Sequence, residues 1–91
     1  MQKQTAHIRV YGLVQGVGFR FTTRMIANTY GVGGWVANRP DGSVEMEATG
    51  DKASLDAFCE GLRNSRVGGG IDRWEEKRRP ASKTPIHFDV C

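Results

Sequence analysis

Cysteine is scarce in this chain. Of its 91 residues only Cys59 and Cys91 are cysteines, far apart and in no CxxC spacing. That excludes a zinc ribbon and a thioredoxin-like redox motif. Two unpatterned thiols suit a reducing cytoplasm. Long apolar runs are missing too, and none approaches the roughly 20 residues of a membrane span. The opening MQKQTAHIRVYG has no apolar core and no small-residue cleavage site, so no signal peptide is expected. There is no Asn-x-Ser/Thr acceptor, no internal repeat and no low-complexity tract. Gly-Lys-Ser/Thr occurs nowhere, which excludes a Walker A loop. An excess of charge is also lacking. The net charge is +3, which suits a small anionic ligand and does not by itself argue for nucleic acid.

What remains is a globular mixture, 38% apolar and 25% charged, of a length expected to form one domain over residues 1–91. Its elements can be read from hydrophobic period. Ile8 and Val10 alternate with polar neighbours, so residues 6–13 read as a strand. In residues 21–30, Thr22, Ile26 and Tyr30 recur at helical spacing, and Gly31, Gly33 and Gly34 end the helix. Trp35 to Asn38 resumes as a strand, and Arg39-Pro-Asp-Gly-Ser is turn chemistry. Val44, Met46 and Ala48 alternate with Glu45 and Glu47, a half-buried strand hairpinned to the one before. Asp51 is placed to cap a helix from Lys52 to about Ser65, whose apolar stripe is Leu55, Phe58, Cys59 and Leu62. Cys59 on that stripe is expected to fill core.

Gly68 to Gly70 reads as a flexible loop. Ile71 to about Arg78 is a weaker strand anchored by Trp74, and Ile86, Phe88 and Val90 mark a last one. The order is β-α-β-β-α-β plus one short strand. That is the α+β, ferredoxin-like split-βαβ pattern, an antiparallel sheet with two helices on one face.

The stretch GLVQGVGFR, residues 12–20, falls where the first strand gives way to the first helix. It is not a dinucleotide fingerprint: Gly16-x-Gly18 begins one, but position 21 is phenylalanine. Gly16 and Gly18 let the chain curl so that N–H groups from Gln15 to Arg20 point inward as an anion nest. The start of the helix adds free N–H groups and the positive end of its dipole. Arg20 adds a planar cation matched to two phosphate oxygens. A tight turn with a surface arginine explains the same residues, and spacing alone leaves both readings open.

Asn38 is the second oddity. Asparagine is disfavoured in strands, and the hairpin already has Pro40, Asp41 and Gly42 to turn it. A carboxamide beside an anion nest can both accept from and donate to a water. Taken together, GLVQGVGFR and GWVANRPDGSVE resemble the two signatures of the acylphosphatase family, and the resemblance runs nearly the whole chain. It implies the same split-βαβ fold and hydrolysis of the carboxyl-phosphate bond of acyl phosphates. It places the catalytic arginine at Arg20 and the catalytic asparagine at Asn38. It makes Gln15, Gly16, Val17, Gly18, Phe19 and Arg20 the phosphate cradle. No cofactor and no metal are implied. His7 and His87 lack cysteine or carboxylate company at ligand spacing and are expected on solvated strand faces. The expected partner is a small acyl phosphate, with inorganic phosphate or sulfate competing, on a cytoplasmic monomer.

The departures from the family leave the cradle and asparagine positions intact. Arg39 follows Asn38 and either adds to the positive field or points to solvent. The family's Gly-Pro turn after the second helix is replaced by Arg66-Val-Gly-Gly-Gly-Ile-Asp, which puts the fourth strand's register in doubt. An RNA-recognition module shares the element order, and RWEEKRRPASK is basic. Its aromatic signature is absent, however, and Glu45 and Glu47 stand on the central strand where RNA would lie. Acylphosphatase-like domains also occur within larger carbamoyl-phosphate-handling proteins, and a free-standing enzyme is preferred here. An anion binder without turnover is disfavoured by the presence of both Arg20 and Asn38.

Overall fold

In the computed structural model, which describes residues 2–91, strands and helices follow from where apolar side chains can be buried. Strand β1, Lys3–Gly12, is an inner strand of a five-stranded sheet. Its Ala6, Ile8 and Val10 are fully buried on one face, and His7, Arg9 and Tyr11 lie on the other. Helix α1, Phe19–Tyr30, leads into β2, Gly33–Asn38, which turns back as β3, Val44–Asp51. Helix α2, Lys52–Arg63, is followed by β4, Ile71–Ala81, and β5, Phe88–Val90. The sheet order is β4-β1-β3-β2-β5. The first four strands pair antiparallel, as the split-βαβ pattern requires, and short β5 adds to β2 in parallel. Both helices cover the face that buries Ile8, Val10, Val36, Val44 and Met46.

Four local expectations are corrected. The buried stripe of α1 is Phe19, Thr23 and Ala27, one residue over from the expected Thr22, Ile26 and Tyr30. Ile26 and Tyr30 instead face α2 across Gly61, where a Cβ would stand 3.3 Å from Ile26 Cγ2 and 3.4 Å from Tyr30. The helix thus packs on two surfaces, and period alone marked the smaller one. Thr23 is tolerated in the core because its hydroxyl donates to the Phe19 carbonyl at 2.8 Å.

Gly68–Gly70 is a 3-10 turn and not a flexible loop. A Cβ on Gly68 would fall 2.0 Å from the Arg63 carbonyl oxygen, and one on Gly70 2.3 Å from that of Leu13. Close backbone approach, rather than flexibility, explains these glycines. The weak strand is β4, and it is the longest of all, 11 residues paired along the whole of β1. Its helix-side face is polar: Glu76 accepts from Trp74 Nε1 at 2.8 Å and from Arg78 Nε at 2.5 Å. Arg78 continues to Asp56 on α2 at 2.8 Å. A backbone ladder and charge pairing, invisible to hydrophobic period, hold this edge.

Ile86 does not join the last strand; it is 93% exposed, and pairing starts only at Gly34 and Phe88. Asp51 stands at the N-cap of α2 as expected but makes no side-chain cap bond. The α2 stripe of Leu55, Phe58, Cys59 and Leu62 is buried as read.

Candidate active site

Several groups that can hold an anion gather at the end of β1. The chain leaves the strand at Gly12 with φ +122, pressed so closely on the 3-10 turn that a Cβ would lie 2.3 Å from Gly70 O. Leu13 N–H donates to that same oxygen at 2.8 Å, and Val14 plugs into the core. Gly16 then has φ +76 and Gly18 φ +81, and among the described residues only glycines take positive φ. Left-handed Gly16 and Gly18 therefore flank Val17, an arrangement that can turn successive N–H groups to one side. A Cβ at Gly16 would meet nothing within 4 Å, so its glycine serves conformation and not space. Gly18 is the N-cap of α1, with no side-chain cap bond and no acidic residue in the first turn. Among the described residues, the N–H groups of Gln15 to Arg20 have no backbone acceptor. The positive end of α1 is thus left uncompensated and open to an anion.

The candidate side chains come from both halves of the chain. Phe19 is buried in the core, so only its N–H can serve the nest. Val17 is half-buried against the core. Arg20, on the first turn of α1, donates from Nη1 to the Cys91 carbonyl at 2.6 Å. Cys91 N–H in turn donates to Val36 O at 2.8 Å. Val36 lies two residues before Asn38 on β2, so the guanidinium is tied to the strand that carries the asparagine. Asn38 pairs with buried Val44, which puts its side chain on the helix-covered face. Its Oδ1 is buried and finds no hydrogen-bond partner among the described residues.

Gln15 contributes more than its N–H. Its Nε2 donates to the carbonyls of Arg39 and Ser43 at 2.8 and 2.9 Å, stitching the nest to the β2–β3 turn. That turn is itself fixed by Asp41 Oδ1, which accepts from Ser43 N–H at 2.9 Å and Ser43 Oγ at 2.6 Å. Sequence reading missed this stitch, for which the pattern carries no signal. It also missed the Cys91 carbonyl and Arg66, whose Nη1 donates to Val17 O at 3.3 Å. Arg39 points away from the site: its Nε donates to Glu45 at 2.6 Å, and its guanidinium lies 5.6 Å over Trp35 on the open face of the sheet.

The titratable groups sit elsewhere. Glu45 also meets His7 Nε2 at 2.5 Å on that open face. The hydrogen bond from Arg39, helped by His7, holds its carboxyl below the ordinary glutamate value. Burial, with Glu76 beside it, pushes the Cys59 thiol up to about 11, as befits a core filler. Cys59 and Cys91 are both free. No group of three or more histidines, cysteines or carboxylates able to hold a metal occurs among the described residues. A surface hollow of about 480 Å³, lined by Gln4, Asp51, Lys52 and Asp56, lies at the other end of β1. With Gly16 and Gly18 exposed, the candidate site is an open, shallow cradle.

The acylphosphatase family model matches residues 6–90, a span that carries the 15–20 loop, Arg20 and Asn38. The chain belongs to the acylphosphatase family. It is similar to the acylphosphatase of Lactobacillus johnsonii, 43% identical over 88 residues that cover 96% of this chain and 97% of that protein. The Bacillus subtilis acylphosphatase crystal structure superposes with a TM-score of 0.88 at 32% identity, covering 97% of this chain and 98% of that one. The Coxiella burnetii acylphosphatase structure gives 0.85 at 27% identity, with 99% and 94% covered. Acylphosphatases are hydrolases acting on acyl phosphates. No helix among the described residues is long and apolar enough to cross a membrane.

Proposed function

We propose that this chain hydrolyses acyl phosphates without a metal, with residues 15–20 and Arg20 holding the phosphoryl group and Asn38 orienting the attacking water. The observation that carries this reading is the unpartnered Asn38 Oδ1, held near Arg20 through Cys91 and Val36. A buried amide oxygen without a partner costs about 1–3 kcal/mol, a penalty a fold keeps where that oxygen has work to do.

The N–H groups of Gln15 to Arg20 and the start of α1 bind the equatorial phosphoryl oxygens, and Arg20 stabilises charge as it redistributes. Asn38 accepts from a water and holds it in line with the bond to the acyl oxygen. The water oxygen bonds to phosphorus, the phosphorus–acyl oxygen bond breaks, and the carboxylate leaves with that electron pair. The water's proton passes to a phosphoryl oxygen. This route asks for no protein base. On the helix-covered face, β2 offers only Gly34, Val36 and Asn38, and α1 contains no acidic residue. The His7–Glu45 pair lies on the opposite face of the sheet.

Inorganic phosphate or sulfate, lacking the acyl group, should compete for the cradle. Cytoplasmic residence as a monomer fits two free thiols, one of them exposed. The test is hydrolysis of benzoyl phosphate in the presence and absence of a chelator. Steady turnover in both supports the reading, and loss of activity on chelation refutes it.

A further inference from the structure

We propose that Arg66, on the turn between α2 and β4, is a positioning residue of the phosphate cradle that fixes the Val17–Gly18 peptide with its N–H aimed at the anion. This rests on the reading of residues 15–20 as the cradle.

Arg66 reaches from the far side of the sequence to lay its guanidinium against that peptide. Nη1 donates to Val17 O at 3.3 Å, and Nη2 lies 3.2 Å from where a Cβ of Gly18 would stand. No cis peptide is present among the described residues, and a trans peptide points its carbonyl and its N–H in opposite directions. Drawing the Val17 carbonyl toward Arg66 therefore turns Gly18 N–H away from Arg66, toward the concave side. Gly18 is the residue whose left-handed φ opens α1, so its peptide is the one most free to rotate.

The base of Arg66 is rigid. Ser65 Oγ and N–H both donate to Leu62 O, Gly68 N–H donates to Ser65 O at 3.0 Å, and neighbouring Val67 is buried. The same turn meets the loop again through Leu13 N–H and Gly70 O. One turn thus braces the cradle at both its beginning and its middle. The Arg66 side chain is exposed, and its described hydrogen bond goes only to the loop, so its removal should spare the fold.

The experiment compares wild type with Arg66→Met, Arg66→Lys and Arg20→Gln. It measures inhibition of benzoyl phosphate hydrolysis by inorganic phosphate, and the amide resonance of Gly18. One exposed hydrogen bond of ordinary strength ordering the loop corresponds to a rise of about threefold to tenfold in the phosphate inhibition constant and KM of Arg66→Met. Its kcat and thermal midpoint should hold, and the Gly18 amide should shift before any phosphate is added. Arg66→Lys, which keeps a donor, should recover part of the loss. An unchanged inhibition constant and an unmoved Gly18 amide in Arg66→Met overturn the proposal, as does a loss that merely tracks a lowered midpoint. Arg20→Gln separates the two levels. If it loses phosphate while Arg66→Met does not, only Arg66 is misassigned. If it keeps phosphate, the cradle itself is misplaced.

Discussion

Replacing Asn38 by alanine should separate stability from activity and push them in opposite directions. Asn38 Oδ1 is buried on the helix-covered face with no partner, and whichever way the amide is turned one polar atom occupies that place. Deleting it relieves a desolvation cost of about 1–3 kcal/mol. The packing lost with the carboxamide returns part of that, on the order of 1 kcal/mol for so few atoms. The net is a gain of roughly 1 kcal/mol, which for a domain of this size raises the thermal midpoint by about 4–8 °C. Turnover should fall by about 10²-fold or more, since a water left unoriented forfeits its in-line geometry. The inhibition constant for phosphate should stay within about twofold, because the amide acts on the water and not on the anion. Urea unfolding and benzoyl phosphate hydrolysis measured on one preparation settle the matter. A variant that is less stable by 1 kcal/mol or more and still turns over would show Asn38 to be a structural residue, and the proposed division of roles would fall.

Arg20→Gln should raise the phosphate inhibition constant and lower turnover together, by about 10²-fold or more each, because a charged donor pair is lost where charge gathers; inhibition kinetics check it. Gln15→Leu should cost about 1–3 kcal/mol in urea unfolding by removing two hydrogen bonds to the Arg39 and Ser43 carbonyls, which keep only their turn partners Gly42 N–H and Arg39 N–H, and it should raise KM as the nest drifts from the hairpin. Gly70→Ala should cost several kcal/mol, since a Cβ 2.3 Å from Leu13 O forces the turn off the loop, and calorimetry reads the loss directly. Glu45 has a carboxyl held below its ordinary value of 4.5, first by Arg39. Its contribution is therefore present above that pH and is lost as the pH falls through the lowered value. Glu45→Gln should flatten that acid limb in midpoint-against-pH curves without changing turnover at neutral pH.

The parts of the fold legible in the sequence were those where one apolar face meets one surface. β1, β3 and α2 each bury a single regular stripe, and each was read with the right residues inside. α1 was read one residue askew because it packs on both sheet and helix, so two apolar series overlap. β4 was undervalued because polar contacts among Trp74, Glu76, Arg78 and Asp56 line its covered side. In the candidate site, the glycine conformations were legible because positive φ leaves a mark on residue type. The ties were not. Gln15 to the hairpin, Arg20 to Cys91 and Arg66 to Val17 span 24 to 71 positions of sequence, and side-chain reach over such distances leaves no period to read.

Those ties explain how so open a site can be ready before its ligand arrives. The nest is anchored at Leu13 by Gly70, at Gln15 by the hairpin, at Val17 by Arg66 and at Gly18 by Thr22 N–H at 3.1 Å. Four anchors over six residues leave the loop little conformational freedom to lose on binding, and ordering a flexible loop would otherwise cost about 1–2 kcal/mol per residue. A shallow cradle cannot gain affinity by enclosing its substrate, so it must hold its N–H groups in place beforehand. The hairpin anchor also couples the two halves of the site. Gln15 binds the carbonyl of Arg39, the residue after Asn38, so a shift of the nest moves the asparagine with it. Phosphate holding and water positioning are on this reading one rigid arrangement, and loosening Gln15 should degrade KM and kcat together where Asn38→Ala degrades kcat alone.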